Sequence, residues 1–406
     1  KIELVRVIES FTAPADYEKP LTFLKPSDIS VTSDGYMYIA DQNNYRVLKL
    51  DMDLNYVMEF LKPTDPTFNQ EMEFAPKKIA VDTAGRLYCT AVSINQGLMK
   101  YEPDGEFTGF FGATPVTYNL WDFIWKRWLS TQAQRDQMAD FVPTEYSNIY
   151  MDYEGFIYGT IASVKEEDLK AETVDSVRKL NLTGADILVR NGQTPVYGDM
   201  YMGSGGGVTG PSKFSDVTCL ENDVYICMDS NRGRMFAYDD QGNVVCAFDG
   251  NGNMNGYFRS PSAIEHMGHD LYVLDNLDCS LTTFVTTELG ELVFDAMEQF
   301  DRGEYDASEQ SWIQAKNLNG NYDLAYIGIG RALLRQEKYK EAMEYFELKY
   351  DRENYSKAFK QYRKEWIEEN IGFIVLAIVI IFLVPLGIGK IRSIKREIDM
   401  ADIFRN

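Results

Sequence analysis

The 406-residue chain holds only two histidines, His266 and His269, and both fall in the short stretch His266-Met267-Gly268-His269. No third nitrogen or thiolate ligand stands beside them in sequence, so the stretch reads as an exposed turn in preference to a metal centre. Cysteine is scarce too: Cys89, Cys219, Cys227, Cys246 and Cys279 are odd in number and contain no CxxC pair. They make neither a zinc pattern nor a complete disulfide framework, and read as buried thiols on strands, acting as small apolar residues. Lys and Arg number 40 against 62 Asp and Glu, a formal net charge of −22. Phosphate neutralisation needs clustered Lys and Arg, so nucleic acid is excluded as a partner of the bulk of the chain.

Signatures of catalysis are missing as well. There is no Gly-x-Ser-x-Gly elbow, HExxH or P-loop, and the run from Gly203 to Gly207 lacks the Lys and the helix that make a phosphate cradle. Asp249-x-Asn251-x-Asn253 starts like a calcium loop, but Met254 and Ser260 stand where Gly and Glu are needed, so it reads as a glycine-rich linker. The expectation is a protein that is not an enzyme, with no catalytic residue, cofactor or metal site. The first residue is Lys1 and no hydrophobic leader precedes it, so a removed signal peptide is expected.

Charge is absent altogether from Ile371 to Gly389, a run long enough, at about 1.5 Å per residue, to cross a hydrocarbon core of about 30 Å. Pro385 near its far end is tolerated in a bilayer. Glu365, Glu368 and Glu369 precede the run, with Trp366 as an interfacial anchor, and Lys390, Arg392, Lys395 and Arg396 follow it. The positive-inside bias then predicts a single-pass cell-membrane protein with its N-terminus outside and its C-terminus in the cytoplasm. In the basic tail, residues 390–406, Ile391, Ile394, Ile398 and Ala401 recur at helical spacing. They suit an amphipathic helix on the inner leaflet or a partner, and a solvated stop-transfer tail fits equally.

The first three hundred residues repeat one unit: Pro, an apolar alternation, a turn, an aromatic strand and often Asp. It runs Pro26…Ile29-x-Val31…Asp34-Gly35-x-Met37-Tyr38-Ile39-Ala40-Asp41 and recurs from Pro76, Pro143, Pro211 and Pro261. Short strands with period-two alternation between Gly and Asp turns are what a four-stranded propeller blade requires. Five units are clear, the stretch between Ala162 and Gly210 is assigned a sixth, and Val5 to Ile8 is assigned a strand that closes the ring. From Tyr118 the period breaks, and Trp121, Trp125 and Trp128 share one helix face. A helical insertion at about 118–140 is predicted, either packed on the propeller or presented to a partner.

The Asp-Gly turn, the Tyr-Ile/Val-x-Asp strand end, Asn44-Tyr45-Arg46-Val47, Asn231-Arg232-Gly233-Arg234-Met235 and the Gly250 to Pro261 linker resemble NHL-repeat propellers. From Leu292 the period becomes 3.6, and two halves align at a spacing of 34: Ala296 with Gly330, Tyr305 with Tyr339, Ser308 with Ala342, Trp312 with Phe346. Gly330, Leu333, Ala342 and Phe346 stand where a tetratricopeptide repeat places its packing residues. The expected class is mainly β: a six-bladed propeller over 1–291, a tetratricopeptide-like module over 292–370, a transmembrane helix over 371–389 and the tail. This combination resembles a family of membrane-anchored proteins of Gram-positive gut bacteria. The resemblance implies a scaffold or accessory subunit of an ABC-type carbohydrate importer, with permease subunits and an extracellular solute-binding protein as partners. Two other readings stay open: a surface receptor for a glycan or peptide, and a metal-dependent propeller hydrolase or lyase.

Overall fold

Asx turns and glycines set the strand lengths of the first compact unit, Lys1–Thr286. The computed structural model describes residues 6–112, 145–162, 164–170, 174–192, 195–200, 208 and 210–403. Asp82 Oδ1 accepts the N–H groups of Ala84 (3.0 Å) and Arg86 (2.9 Å), and Asp152 Oδ1 those of Glu154 (3.0 Å) and Phe156 (2.8 Å). Asp51 and Asp239 close other hairpins in the same way. An Asx side chain that caps its own turn gives each hairpin a local reason to reverse. Gly85 and Gly155, at φ +81° and +86°, take the left-handed position these turns need.

Five antiparallel sheets result. Blade 1 is β1 (Pro26–Val31), β2 (Tyr36–Asp41), β3 (Arg46–Asp51) and β4 (Tyr56–Phe60); blade 2 is β5 (Pro76–Val81), β6 (Leu87–Ala91), β7 (Leu98–Tyr101) and β8 (Phe107–Phe111). Blade 3 has β9 (Asn148–Met151), β10 (Ile157–Thr160) and, after a short helix α1 (Glu166–Lys170), β11 (Val177–Leu180). Blade 4 is β12 (Phe214–Cys219), β13 (Tyr225–Asp229), β14 (Arg234–Tyr238) and β15 (Val244–Phe248); blade 5 is β16 (Pro261–Met267), β17 (Asp270–Asp275) and β18 (Ser280–Phe284). The first strands neighbour one another in the order β1, β5, β9, β12, β16, which makes the sheets successive blades of a β-propeller.

The expected six blades are therefore corrected to five among the described residues. The described residues between 162 and 210 form no blade of their own: α1 and β11 come from this stretch, and β11 joins blade 3 by pairing with β10. Residues 6–9 lie in no strand, so the ring-closing strand is not formed there. The predicted insertion with Trp121, Trp125 and Trp128 lies outside the described residues, as does Gly203 to Gly207. Cysteine burial is mixed: Cys89, Cys219 and Cys227 are buried in sheets, while Cys246 and Cys279 are exposed.

The second unit, Thr287–Asn406, is helical: α2 (Glu288–Asp301), α3 (Tyr305–Leu318), α4 (Asp323–Arg335), α5 (Tyr339–Leu348) and α6 (Arg352–Ile403). The Thr287 hydroxyl caps α2 by accepting from Gly290 N (3.2 Å). Consecutive helices pack as hairpins. Gly328 lets α4 lie against the Trp312 ring, and a Cβ on Gly330 would stand 2.6 Å from the Phe346 ring. Leu333, Ala342 and Phe346 are buried at this seam. Helix α6 contains the apolar run with Pro385 inside it, and its most apolar 18-residue window has a mean hydropathy of 3.1 with none of it buried. By length and composition it can cross a membrane. Ile371, Trp366 and Ile394 are exposed along it.

Candidate functional site on the inner strands

In four first strands the register shifts just before the Ile or Val, at Asp28, Lys78, Asp216 and Ala263, and Asn148 holds the matching place on β9. Asp28 Oδ2 accepts the Ile79 N–H at 2.8 Å, and Asp216 Oδ2 the Ile264 N–H at 2.9 Å. These inner N–H groups have no strand beyond them, so a carboxylate from the preceding blade satisfies a donor that would otherwise be buried unpaired. Lys78 Nζ lies 3.7 Å from Asp28, and the Asn148 amide donates to Asp216 Oδ1. Burial raises the Asp28 carboxyl above its usual range and pushes Asp216 up to about 7, against the pull of Lys78 and the N–H donors.

Two residues along the same strands a second polar group forms. Thr218 Oγ1 lies 2.7 Å from His266 Nδ1 and donates to Glu265 Oε1 at 3.1 Å, and the Tyr150 hydroxyl meets the same threonine. The Glu265 side chain is 63% exposed, whereas that of His266 is 15% exposed. Burial works against the Glu265 charge, but hydrogen bonds from His266 and Thr218 outweigh it and hold the carboxyl below its usual range. His266 thus sits on strand β16 and not in the expected exposed turn. Together these groups offer a carboxylate, an imidazole and two hydroxyls, a set suited to binding hydroxyl-rich or amine ligands.

A third group brings Asp152, Cys219 and Asp223 within 4.8 Å of one another, a donor set with metal-ligand character. Lys179 Nζ already stands 3.3 Å from Asp152 and 3.4 Å from Asp223. Burial opposes the lysine charge, but Asp223 and Asp152 prevail and raise its pKa. Burial pushes the Cys219 thiol up to about 12. In this structure the group holds an ammonium that bridges blades 3 and 4.

The Asp that ends the second strand is structural. Asp229 accepts from the Ser212 hydroxyl (2.6 Å), Lys213 N (2.9 Å) and Asn231 N (2.9 Å), and Asp275 from Arg259 N, Ser260 N and Leu277 N. Asp41 ties Leu24 N and the buried Arg46 guanidinium. Each staples the incoming loop to its blade. In the glycine-rich linker Asn251 gives its amide to Asn231 O at 2.9 Å, which ties the linker to blade 4. The inner-strand groups escaped sequence reading because Asn148 and Asp216, or Thr218 and His266, stand far apart in the chain; only the repeat register brings them together.

No protein-family model matches the chain, and no curated protein matches it. Among solved structures, virginiamycin B lyase from Staphylococcus aureus is 11% identical with a TM-score of 0.36, covering 65% of this chain and 70% of that one. The extracellular domain of BT4673 from B. thetaiotaomicron is 12% identical with a TM-score of 0.35, covering 68% of this chain but only 30% of that one. A functionally unknown protein from Desulfotomaculum acetoxidans is 13% identical with a TM-score of 0.35, over 64% and 69% of the two chains. At such TM-scores the likeness says nothing of chemistry, and the propeller rests on the five sheets themselves.

Proposed function

We propose that this chain is a non-catalytic, membrane-tethered interaction subunit. Its NHL-type propeller and tetratricopeptide-like hairpins stand outside the cell, and its partners are the permease subunits and solute-binding protein of an ABC-type carbohydrate importer. The observation that carries the tether is α6. Near its start Ala358 is fully buried in the helical unit, and the same unbroken helix continues through the exposed apolar run to Ile403. A module joined to its span with no intervening loop is held at the bilayer surface, where a permease presents its outer face. Asp28, Asp152 and Asp216 are engaged by Lys78, Lys179 or backbone N–H groups, which supports binding over catalysis. The importer as partner rests on the family resemblance.

The test is affinity purification of the full chain from mild detergent, followed by identification of what comes with it. Permease subunits in stoichiometric yield support the proposal; a chain that purifies alone, with unchanged sugar uptake in a strain lacking it, refutes it. The exposed Glu265 beside Tyr150 and Thr218 favours a second reading, a receptor for a small glycan. Calorimetric sugar binding that Glu265→Gln abolishes would favour that reading.

A further inference from the structure

Between blades 4 and 5 the chain runs from Asp249 to Ser260 through a linker with Gly250, Gly252 and Gly256. This segment folds back on itself. Gly252 N donates to Phe258 O, Phe258 N to Gly250 O and Tyr257 N to Met254 O, each at 3.0 Å. Phe258 anchors it, 1% exposed and with its ring 6.0 Å from that of Phe284 on β18. Asn251 ties its start to Asn231 O, and Asp275 ties its end by accepting the Arg259 N–H at 2.6 Å.

The glycines seat one ring. A Cβ on Gly252 would stand 2.9 Å from Tyr257 Cδ1 and one on Gly250 3.5 Å from its Cε1, so the Tyr257 ring lies against bare linker backbone. Tyr257 is still 37% exposed, and it lines a cleft of about 790 Å³ between the linker and β18. That volume falls within the range of small-molecule sites, about 300–1,000 Å³. The walls carry the side chains of Asn253, Asn255, Ser280 and Thr282 and the Arg259–Asp278 ion pair, closed at 3.0 Å. Arg259 and Asp278 are the charged groups among the lining residues and they offset each other, which leaves no net charge to recruit a phosphate or an ammonium. Apart from the Tyr257 ring, the large apolar side chains are Met254 and Leu281, too few to hold a lipid or an apolar peptide. Among the described residues no strand lies outside β18, so its outward peptide groups add donors and acceptors to the wall.

We infer that the linker and β18 form a binding site for a short neutral oligosaccharide. Sugar hydroxyls both donate and accept, as amides, hydroxyls and peptide groups do, and the C–H face of a pyranose stacks on an aromatic ring. Tyr257 is the platform for one sugar ring, with Asn253, Asn255, Thr282 and the Arg259–Asp278 pair placed for its hydroxyls. The cleft includes none of the inner-strand groups around Glu265, and the inference rests on neither the importer nor the Glu265 reading.

The test is calorimetry on the full chain in phosphatidylcholine nanodiscs, since the sugar headgroups of common detergents would compete. Maltotriose, cellotriose, xylotriose and mannotriose are the probes. At least one is expected to bind saturably, with affinity weakened about tenfold by Tyr257→Ala and kept by Tyr257→Phe, at an unchanged unfolding temperature. Thr282→Val, on the opposite wall, should weaken it too. Saturable binding of none of the four, or binding untouched by both Tyr257→Ala and Thr282→Val, would overturn the inference. Binding lost in Glu265→Gln but kept in Tyr257→Ala would move the sugar to the inner strands and overturn it as well. A chain that purifies without permease and still binds a triose through Tyr257 would refute the importer and support this site.

Discussion

Asp216 shows how one side chain holds three blades. Its carboxylate takes the Ile264 N–H of blade 5, the Val217 N–H of its own strand and the Asn148 amide of blade 3, with Lys78 and Asp28 as the charged groups near it. Because its folded pKa is raised from 3.8 to about 7, the folded state binds the proton more tightly. Its contribution therefore favours folding at low pH and is lost as pH rises from about 4 through 7. In urea unfolding across that window, Asp216→Asn should lose less stability with rising pH than the parent; parallel profiles would show that the carboxyl is not held neutral. Lys179→Met should cost roughly 3–5 kcal/mol by leaving the buried Asp152, and the half-buried Asp223 beside it, without their cation. A loss under about 1 kcal/mol, measured by chemical denaturation, would contradict the bridging role. The strand-end aspartates were visible as a motif, but their stapling role was not, since the N–H groups they bind carry no sequence signal.

Among the elements, the blades were legible wherever Asp turns and Tyr-Ile strands recurred, and illegible where they did not. Blade 3 breaks its meander with α1 before β11, so periodicity alone turned that stretch into a sixth blade. Ile226 on β13 is 1% exposed between packed sheets. Ile226→Asp should cost several kcal/mol by burying an unpaired charge, and wild-type thermal stability would count against the register. Small residues in the helical hairpins were legible as packing positions, and the structure gives the reason at Gly330. Gly330→Leu should cost about 1–3 kcal/mol by overpacking, with part recovered in combination with Phe346→Ala. Equal losses with and without the second change, read by helical circular dichroism on heating, would remove Phe346 from the cause. The apolar run was the plainest signal in the sequence, the Lys- and Tyr-rich stretch from Tyr350 to Glu369 read as a helix leading into it, and the fold makes the two one unbroken helix.

For the whole molecule, charge and hydropathy are sorted along the chain in a way that suits one bilayer crossing. The acidic propeller has few means to hold a phosphate surface, and the basic residues after Gly389 have reason to stay on the cytoplasmic side. Truncation before Ile371 should then yield a soluble protein with an intact propeller, recovered in the supernatant after carbonate extraction, while the full chain stays in the pellet. The most direct measurement is protease accessibility on intact spheroplasts that express the chain with an epitope after Asn406. A tethered subunit facing outward predicts that the propeller and helical hairpins are digested while the epitope survives on a membrane-protected fragment that includes the span. A propeller spared until the spheroplasts are lysed, or an epitope lost from intact ones, would contradict it.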